Sequence, residues 1–240
     1  MTSLLRRAGA EFVGTALLLI AVVGSGIAAH RLSPGDTGLQ LLENALATGA
    51  ALAAIIVAVG PVSGAHLNPA VSLVDAAFGG LRRLELAAYI VAQFIGAIAG
   101  VVAANLMFSL PAVTISSHVR STPGLWLAEV IASLGLLLVI FGAVRTSRAA
   151  VVPFAVGAYI TGAYFFTSST SFANPAVTVA RELSNTFAGI NPGSVLPFIG
   201  AELVGAGLAW LVVSALFPRE REVADVVLVP HDQTSQEAAR

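Results

Sequence analysis

Two tripeptides, Asn68-Pro69-Ala70 and Asn174-Pro175-Ala176, are the residues of this sequence best suited to act on another molecule. Proline fits the first turn of a helix because it lacks an N–H that would go unpaired there. Asparagine just before it is a strong N-cap. Each tripeptide therefore reads as a helix start, where unpaired N–H groups and the positive end of the helix dipole gather. Two such starts brought together would repel a cation, while their asparagine amides could donate hydrogen bonds to a neutral solute. The stretches before them, Gly64, Ala65, His66 and Leu67 in the first copy and Thr170–Ala173 with Phe172 in the second, read as non-helical. Their carbonyls would supply a ladder of acceptors along a pore wall. One Asn-Pro-Ala alone is no more than a capped helix, but two copies, each followed by valine, ask for elements that place them face to face.

Those elements follow from composition. The 240 residues are 57% hydrophobic and 10% charged, with a mean hydropathy of +0.88. A soluble chain carries about 25% charged residues, so lipid is the expected solvent. All twelve basic residues are arginine, and no basic stripe interleaved with aromatics speaks for nucleic acid. Cysteine is absent, which excludes disulfides, thiolate metal sites and cysteine nucleophiles. Six apolar stretches, about Ala8–Ala29, Leu39–Gly60, Leu84–Phe108, Gly124–Val144, Ala149–Ser168 and Val195–Phe217, are long enough to cross a bilayer. A secretory signal at the N-terminus fits less well, since the first run is long and carries Glu11. Two further segments, about Asn68–Phe78 and Asn174–Phe187, are too short to span and open on the two tripeptides. Non-helical backbone is tolerated at membrane depth only beside protein or a water-filled cavity. An even number of spans puts both termini on one side. With both in the cytoplasm, nine arginines are cytoplasmic and Arg31, Arg120 and Arg181 lie outside, the arrangement that the positive-inside rule favours. A single channel domain over residues 1–217, with halves at about 8–108 and 124–217, is followed by a polar tail from Pro218 to Arg240, expected to be disordered.

The chain repeats itself. The segment from Ala10 to Leu19 resembles that from Ala128 to Leu137; Ser63–Ser72 resembles Ser169–Thr178; Ala92–Ala99 resembles Ala201–Leu208. Each half runs helix, helix, half-helix, helix. Three spans per copy is odd, so the second copy enters the membrane upside down, giving an inverted repeat whose short interrupted segments mark the permeation site.

Paired Asn-Pro-Ala-Val runs, together with Ser63-Gly-Ala-His-Leu, make this chain resemble the aquaporin (major intrinsic protein) family from about Ala8 to Phe217. The resemblance implies an all-α bundle of six tilted membrane helices and two re-entrant half-helices, with one pore per subunit and four subunits in a homotetramer of the cell membrane. Most members have arginine directly after the second motif, where this chain has Val177. That arginine belongs to an outer constriction whose other members correspond, by ungapped counting, to Thr48, Gly162 and Ser171; one gap would substitute Ala163 or Phe172. Small side chains there imply a wider and less polar filter than a water-selective one. The expected cargo is small and uncharged: glycerol-like polyols, urea, undissociated metalloid acids such as arsenous acid, and water. Bacterial members with an apolar residue at this position resemble metalloid or methylated-arsenical channels. No cofactor is expected.

Other residues admit more than one reading. Arg181, four residues after Val177 and on roughly the same helix face, either brings a displaced positive charge to the outer vestibule or, more simply, caps the half-helix end or pairs with Glu182 at the surface. Glu11 and Glu129 are acids in apolar helices, which elsewhere serve as proton relays. The family resemblance instead makes them structural braces for re-entrant backbone, with Gln93 and Glu202 in similar service. His66 lacks a second ligand at metal spacing and is expected on the cytoplasmic pore wall. Gly96–Gly100 is a GxxxG match that serves either a dimer face or a close crossing within the subunit. A secondary transporter also uses inverted repeats and broken helices, but would want charges beside its substrate rather than neutral amides. A non-conducting scaffold would not need both asparagines, and no nucleophile–base set suggests an enzyme.

Overall fold

Side-chain caps decide where the helices begin. The computed structural model describes Ser3–Phe217, so the tail expected from Pro218 onward lies outside the described residues. Ser3 accepts the Arg6 N–H and starts α1 (Leu4–Leu32), earlier than the apolar run alone suggests. Asp36 accepts the Leu39 N–H at 2.9 Å and starts α2 (Thr37–Ser63). Helix α3 (Pro69–Phe78) opens on Asn68 and stops at Gly79, whose φ of 93° lies in the left-handed region that glycine alone enters without strain. Glu85 accepts the Arg82 N–H at 2.9 Å where α4 (Arg83–Met107) opens. Thr122 caps α5 (Pro123–Arg145), and α6 (Val152–Phe166) follows a 3-10 turn at Ala149–Val151. Helix α7 (Pro175–Ala180) is much shorter than the Asn174–Phe187 segment expected, because it tightens into a 3-10 turn at Arg181–Leu183. Asn191 then caps α8 (Pro192–Leu216).

Six of these helices are long and apolar enough to cross a membrane, with α3 and α7 as the two short insertions. The all-α inverted-repeat bundle is as the sequence implies: α1 packs on α4 and α5 on α8, while α2 meets α6 across the halves. Matching glycines permit the first two crossings. A Cβ on Gly96 would collide with the Phe12 carbonyl of α1, and one on Gly205 with the Val130 carbonyl of α5. The GxxxG run therefore serves a crossing within the subunit. Leu46, Val57, Ile95, Leu106, Phe165, Leu196 and Leu211 point outward and are exposed, the surface expected of a chain whose surroundings are lipid.

Candidate functional site

At the centre of the bundle the two half-helices meet, and each asparagine is shared between the halves. Asn68 Oδ1 accepts the Ala70 N–H at 2.8 Å while its Nδ2 donates to the Ala173 carbonyl at 2.7 Å. Asn174 mirrors this, accepting the Ala176 N–H at 3.0 Å and donating to the Leu67 carbonyl at 2.8 Å. Each cap thus holds its own helix with its oxygen and the opposite repeat with one amide hydrogen. The second amide hydrogen finds no acceptor among the described residues, and both asparagines border the same central cavity.

The backbone leading to each cap is held in a conformation that few residues tolerate. Ala65 and Leu67 in one half, and Thr170, Ser171 and Ala173 in the other, have φ between 48° and 64°, each costing about 1 kcal/mol or more. Two carboxylates hold them there. Glu11 accepts the N–H groups of His66 (3.0 Å) and Leu67 (2.6 Å), and Glu129 those of Phe172 (2.9 Å) and Ala173 (2.7 Å). Both acids are fully buried. With these N–H groups satisfied, the Leu67 and Ala173 carbonyls are left to accept the asparagine amides of the opposite half.

One cavity borders both caps. Ala65, His66, Leu67, Asn68, Phe172 and Asn174 border it, and Leu18, Leu52, Ile56, Leu136 and Ile140 give it an apolar flank. Pro69, Ala70, Pro175 and Ala176 stand behind the caps as the first turns of α3 and α7, and Gly64 ends α2 with φ 89°. His66 lies edge-on to Tyr89, with Nδ1 3.1 Å from Ser72 Oγ and Nε2 4.0 Å from Asp75 Oδ2. Among the described residues no cluster of three potential ligands could hold a metal ion.

The outer end departs from the ungapped count. Thr48, Ser171 and Val177 border the cavity; Gly162 does not. It sits on the exposed face of α6 beside Phe166. Two residues along a helix turn it by about 200°, so the face toward the cavity carries Ile160 and Tyr164 instead. Tyr164 reaches Thr48 Oγ1 with its hydroxyl at 3.2 Å. Of the gapped alternatives, Ala163 is buried away from the cavity and Phe172 borders it.

Arg181 also departs from its simpler reading. It is 3% exposed and lines the cavity instead of pairing with Glu182 at the surface. Nε donates to the Ala188 carbonyl, and the guanidinium lies 3.5 Å above the Phe172 ring centroid. Its Nη groups find no acceptor among the described residues. Helical spacing puts Arg181 on the face of Val177, and both border the cavity although a 3-10 turn begins at Arg181. On the same ring, 5.1 Å away, lies Arg120, bound by Nε to the Gly189 carbonyl at 2.9 Å. Burial lowers the Arg120 pKa from its usual value, with Glu129 and Tyr164 acting in opposition, and burial together with Arg120 lowers that of nearby His118.

Several contributors escape a sequence reading. Arg7 donates to Tyr89 (2.8 Å) and Glu85 (2.9 Å), and Tyr89 passes its own hydrogen bond to the Ser63 carbonyl (2.6 Å), tying three segments below the first cap. Asn105 binds the Ala112 and Leu183 carbonyls and accepts from Ser184, fastening the loops after α4 and α7 to each other. Glu85 is signalled only by being an acid in the first turn of a helix. For Arg7 and Asn105 nothing local distinguishes a buried linker from a surface residue.

The family model described as Major intrinsic protein matches residues 1–171 of this chain. The chain belongs to that family. An aquaglyceroporin of Rhizobium meliloti, AqpS, is 51% identical over 220 residues, covering 92% of this chain and 94% of its own. A probable aquaporin of Archaeoglobus fulgidus, AqpM, is 31% identical over 242 residues, covering 87% and 96%. In fold the chain is similar to the crystal structure of the aquaglyceroporin from Plasmodium falciparum, with a TM-score of 0.68 at 23% identity, covering 93% of this chain and all of that one. Major intrinsic proteins are membrane channels and not enzymes, and this member is a multi-pass membrane protein.

Proposed function

We propose that this major intrinsic protein is a passive channel for small uncharged solutes, with glycerol-like polyols, urea and undissociated metalloid or methylated-arsenical acids as cargo and water passing beside them. One observation carries the reading: two uncharged amides, one from each half-helix start, face a single cavity with a donor each to spare. A solute oxygen can accept from them, while the two dipole ends oppose a cation. Thr48, Ser171, Val177, Tyr164, Phe172 and Arg181 form the outer filter on this reading, with Val177 standing where an arginine is usual and Arg181 giving the filter its cation about one turn further out. Positive-inside bias supports cytoplasmic termini, and the family supports a homotetramer. Arsenical cargo rests on the apolar Val177 and on likeness to an aquaglyceroporin.

Liposome flux tests it. Water, glycerol, urea and arsenite permeabilities are compared for the wild type and Val177→Arg. The expected outcome is loss of most glycerol, urea and arsenite flux with water flux retained. Saturable, ion-gradient-driven uptake in the wild type would establish a carrier instead, and an unchanged Val177→Arg profile would move the filter elsewhere.

A further inference from the structure

The repeat is closely mirrored around its two braces, except at one position. In the first half, Gln93 Nε2 donates both to Glu11 Oε2 (2.8 Å) and to Ser72 Oγ (3.0 Å), linking the brace to the half-helix α3. The second half has the same three-part arrangement: Glu129 in place of Glu11, Thr178 in place of Ser72, and Glu202 in place of Gln93. Thr178 Oγ1 lies 2.5 Å from Glu202 Oε1, and the Glu202 carboxyl sits beside that of Glu129. All three side chains are wholly buried.

An ionised carboxylate has no donor, so an ionised Glu202 could not do what Gln93 does. It would also set a negative charge against Glu129, whose two oxygens already accept N–H groups as a carboxylate would. Like charges this close in a dry interior cannot both persist, and one carboxyl of such a pair keeps a proton. Glu129 is the wrong holder, since both of its oxygens are engaged by backbone donors. Arg181, Arg120, Tyr159 and Tyr164 face the same region. Among the described residues neither arginine approaches either carboxylate to ion-pair distance, and their near donors go to backbone carbonyls. Among the described residues no donor reaches Glu202 Oε2, which leaves that oxygen free to carry a proton.

We propose that Glu202 is a positioning residue that keeps its proton, and that as a neutral acid it fixes Glu129 and Thr178, and through them the pore wall at Phe172–Ala173. The second half thus obtains from a carboxylic acid the donor that the first obtains from an amide. Its effect on permeation rests on the channel reading above; its protonation does not, and can be read without any flux.

Infrared difference spectroscopy of the full chain in lipid, wild type against Glu202→Gln at neutral pH, decides the protonation state. A carboxylic-acid C=O band present in the wild type and missing from Glu202→Gln is the expected result. No such band in the wild type, or one that survives the substitution, overturns the proposal. Flux of glycerol decides the positioning role: Glu202→Gln, which restores the first-half chemistry, should stay within about twofold of wild type, and Glu202→Leu, similar in size but without a donor, should lose about tenfold. Equal fluxes for Leu and wild type, or equal losses for Gln and Leu, remove that role. Should Glu202→Leu fail to fold, the flux and the spectrum of Glu202→Gln still separate the two outcomes. A wild type that passes no solute would sink the channel reading and leave the infrared result standing.

Discussion

At the scale of single residues, the chemistry here is mostly the satisfaction of buried backbone. Glu11 ties up His66 N, Leu67 N, the Ser63 hydroxyl and the Gln93 amide in one carboxylate. Removing it strands donors that each cost about 1–3 kcal/mol when left unpaired in a dry interior. Glu11→Ala is therefore expected to lose several kcal/mol, seen as a large fall in the temperature at which the detergent-extracted protein aggregates, and to abolish solute flux. Glu11→Gln, which keeps one acceptor oxygen, should fall between it and wild type. A Glu11→Ala protein as stable as wild type would mean that water replaces the carboxylate. Much at this scale is legible in the sequence. Asn68 and Asn174 announce themselves by cap chemistry, and Glu11 and Glu129 by being charges in apolar runs. Counting four residues from Val177 carries Arg181 to the cavity side, but ungapped counting along α6 reaches Gly162, which does not border the cavity. The sequence does not show where α7 tightens, nor which side of α6 turns inward.

Among the elements, the crossings α1 on α4 and α5 on α8 depend on missing side chains. Gly96→Val would push a Cβ into the Phe12 carbonyl and separate the two helices, an overpacking cost of about 1–3 kcal/mol. Gly200, also in α8, has nothing within 4 Å of a Cβ, so Gly200→Ala should be neutral or gain up to about 1 kcal/mol from lower chain entropy. Comparing thermal aggregation of the two variants checks the pair: equal effects would show that backbone freedom, not close approach, governs both sites. Helix existence is readable from apolar length alone, as the six spans attest. Boundaries move where caps overrule hydropathy, at Ser3 before α1 and Asp36 before α2. The function of Gly96-Ala-Ile-Ala-Gly100 is undecidable in sequence, because a small-residue stripe looks the same whether its partner lies in the same chain or another.

For the whole molecule, orientation in the bilayer is a matter of arginine placement. That bias predicts that single cysteines introduced at Ser3 and Ser147 label only from the cytoplasmic side, and one at Ser117 only from outside; the chain has no native cysteine to confuse the result. Uniform labelling from both sides would overturn the assigned topology. Inverted symmetry itself is visible from three short matches, since pairs such as Glu11 with Glu129 and Gly96 with Gly205 preserve the contacts that each half must make with itself. Symmetry gives way at Phe172: Arg120 and Arg181 both lie against its ring, and neither has a counterpart among the residues that bind Leu67 or His66.

The reciprocal bonds from Asn68 to the Ala173 carbonyl and from Asn174 to the Leu67 carbonyl have a consequence for synthesis. Neither half owns a finished passage. A nascent chain that has inserted everything up to α6 holds its first cap open, with an amide still lacking its acceptor. Only when α7 enters do both locks close together. A chain stopped before α7 thus lacks both reciprocal bonds at once, and the first half cannot complete its own cap.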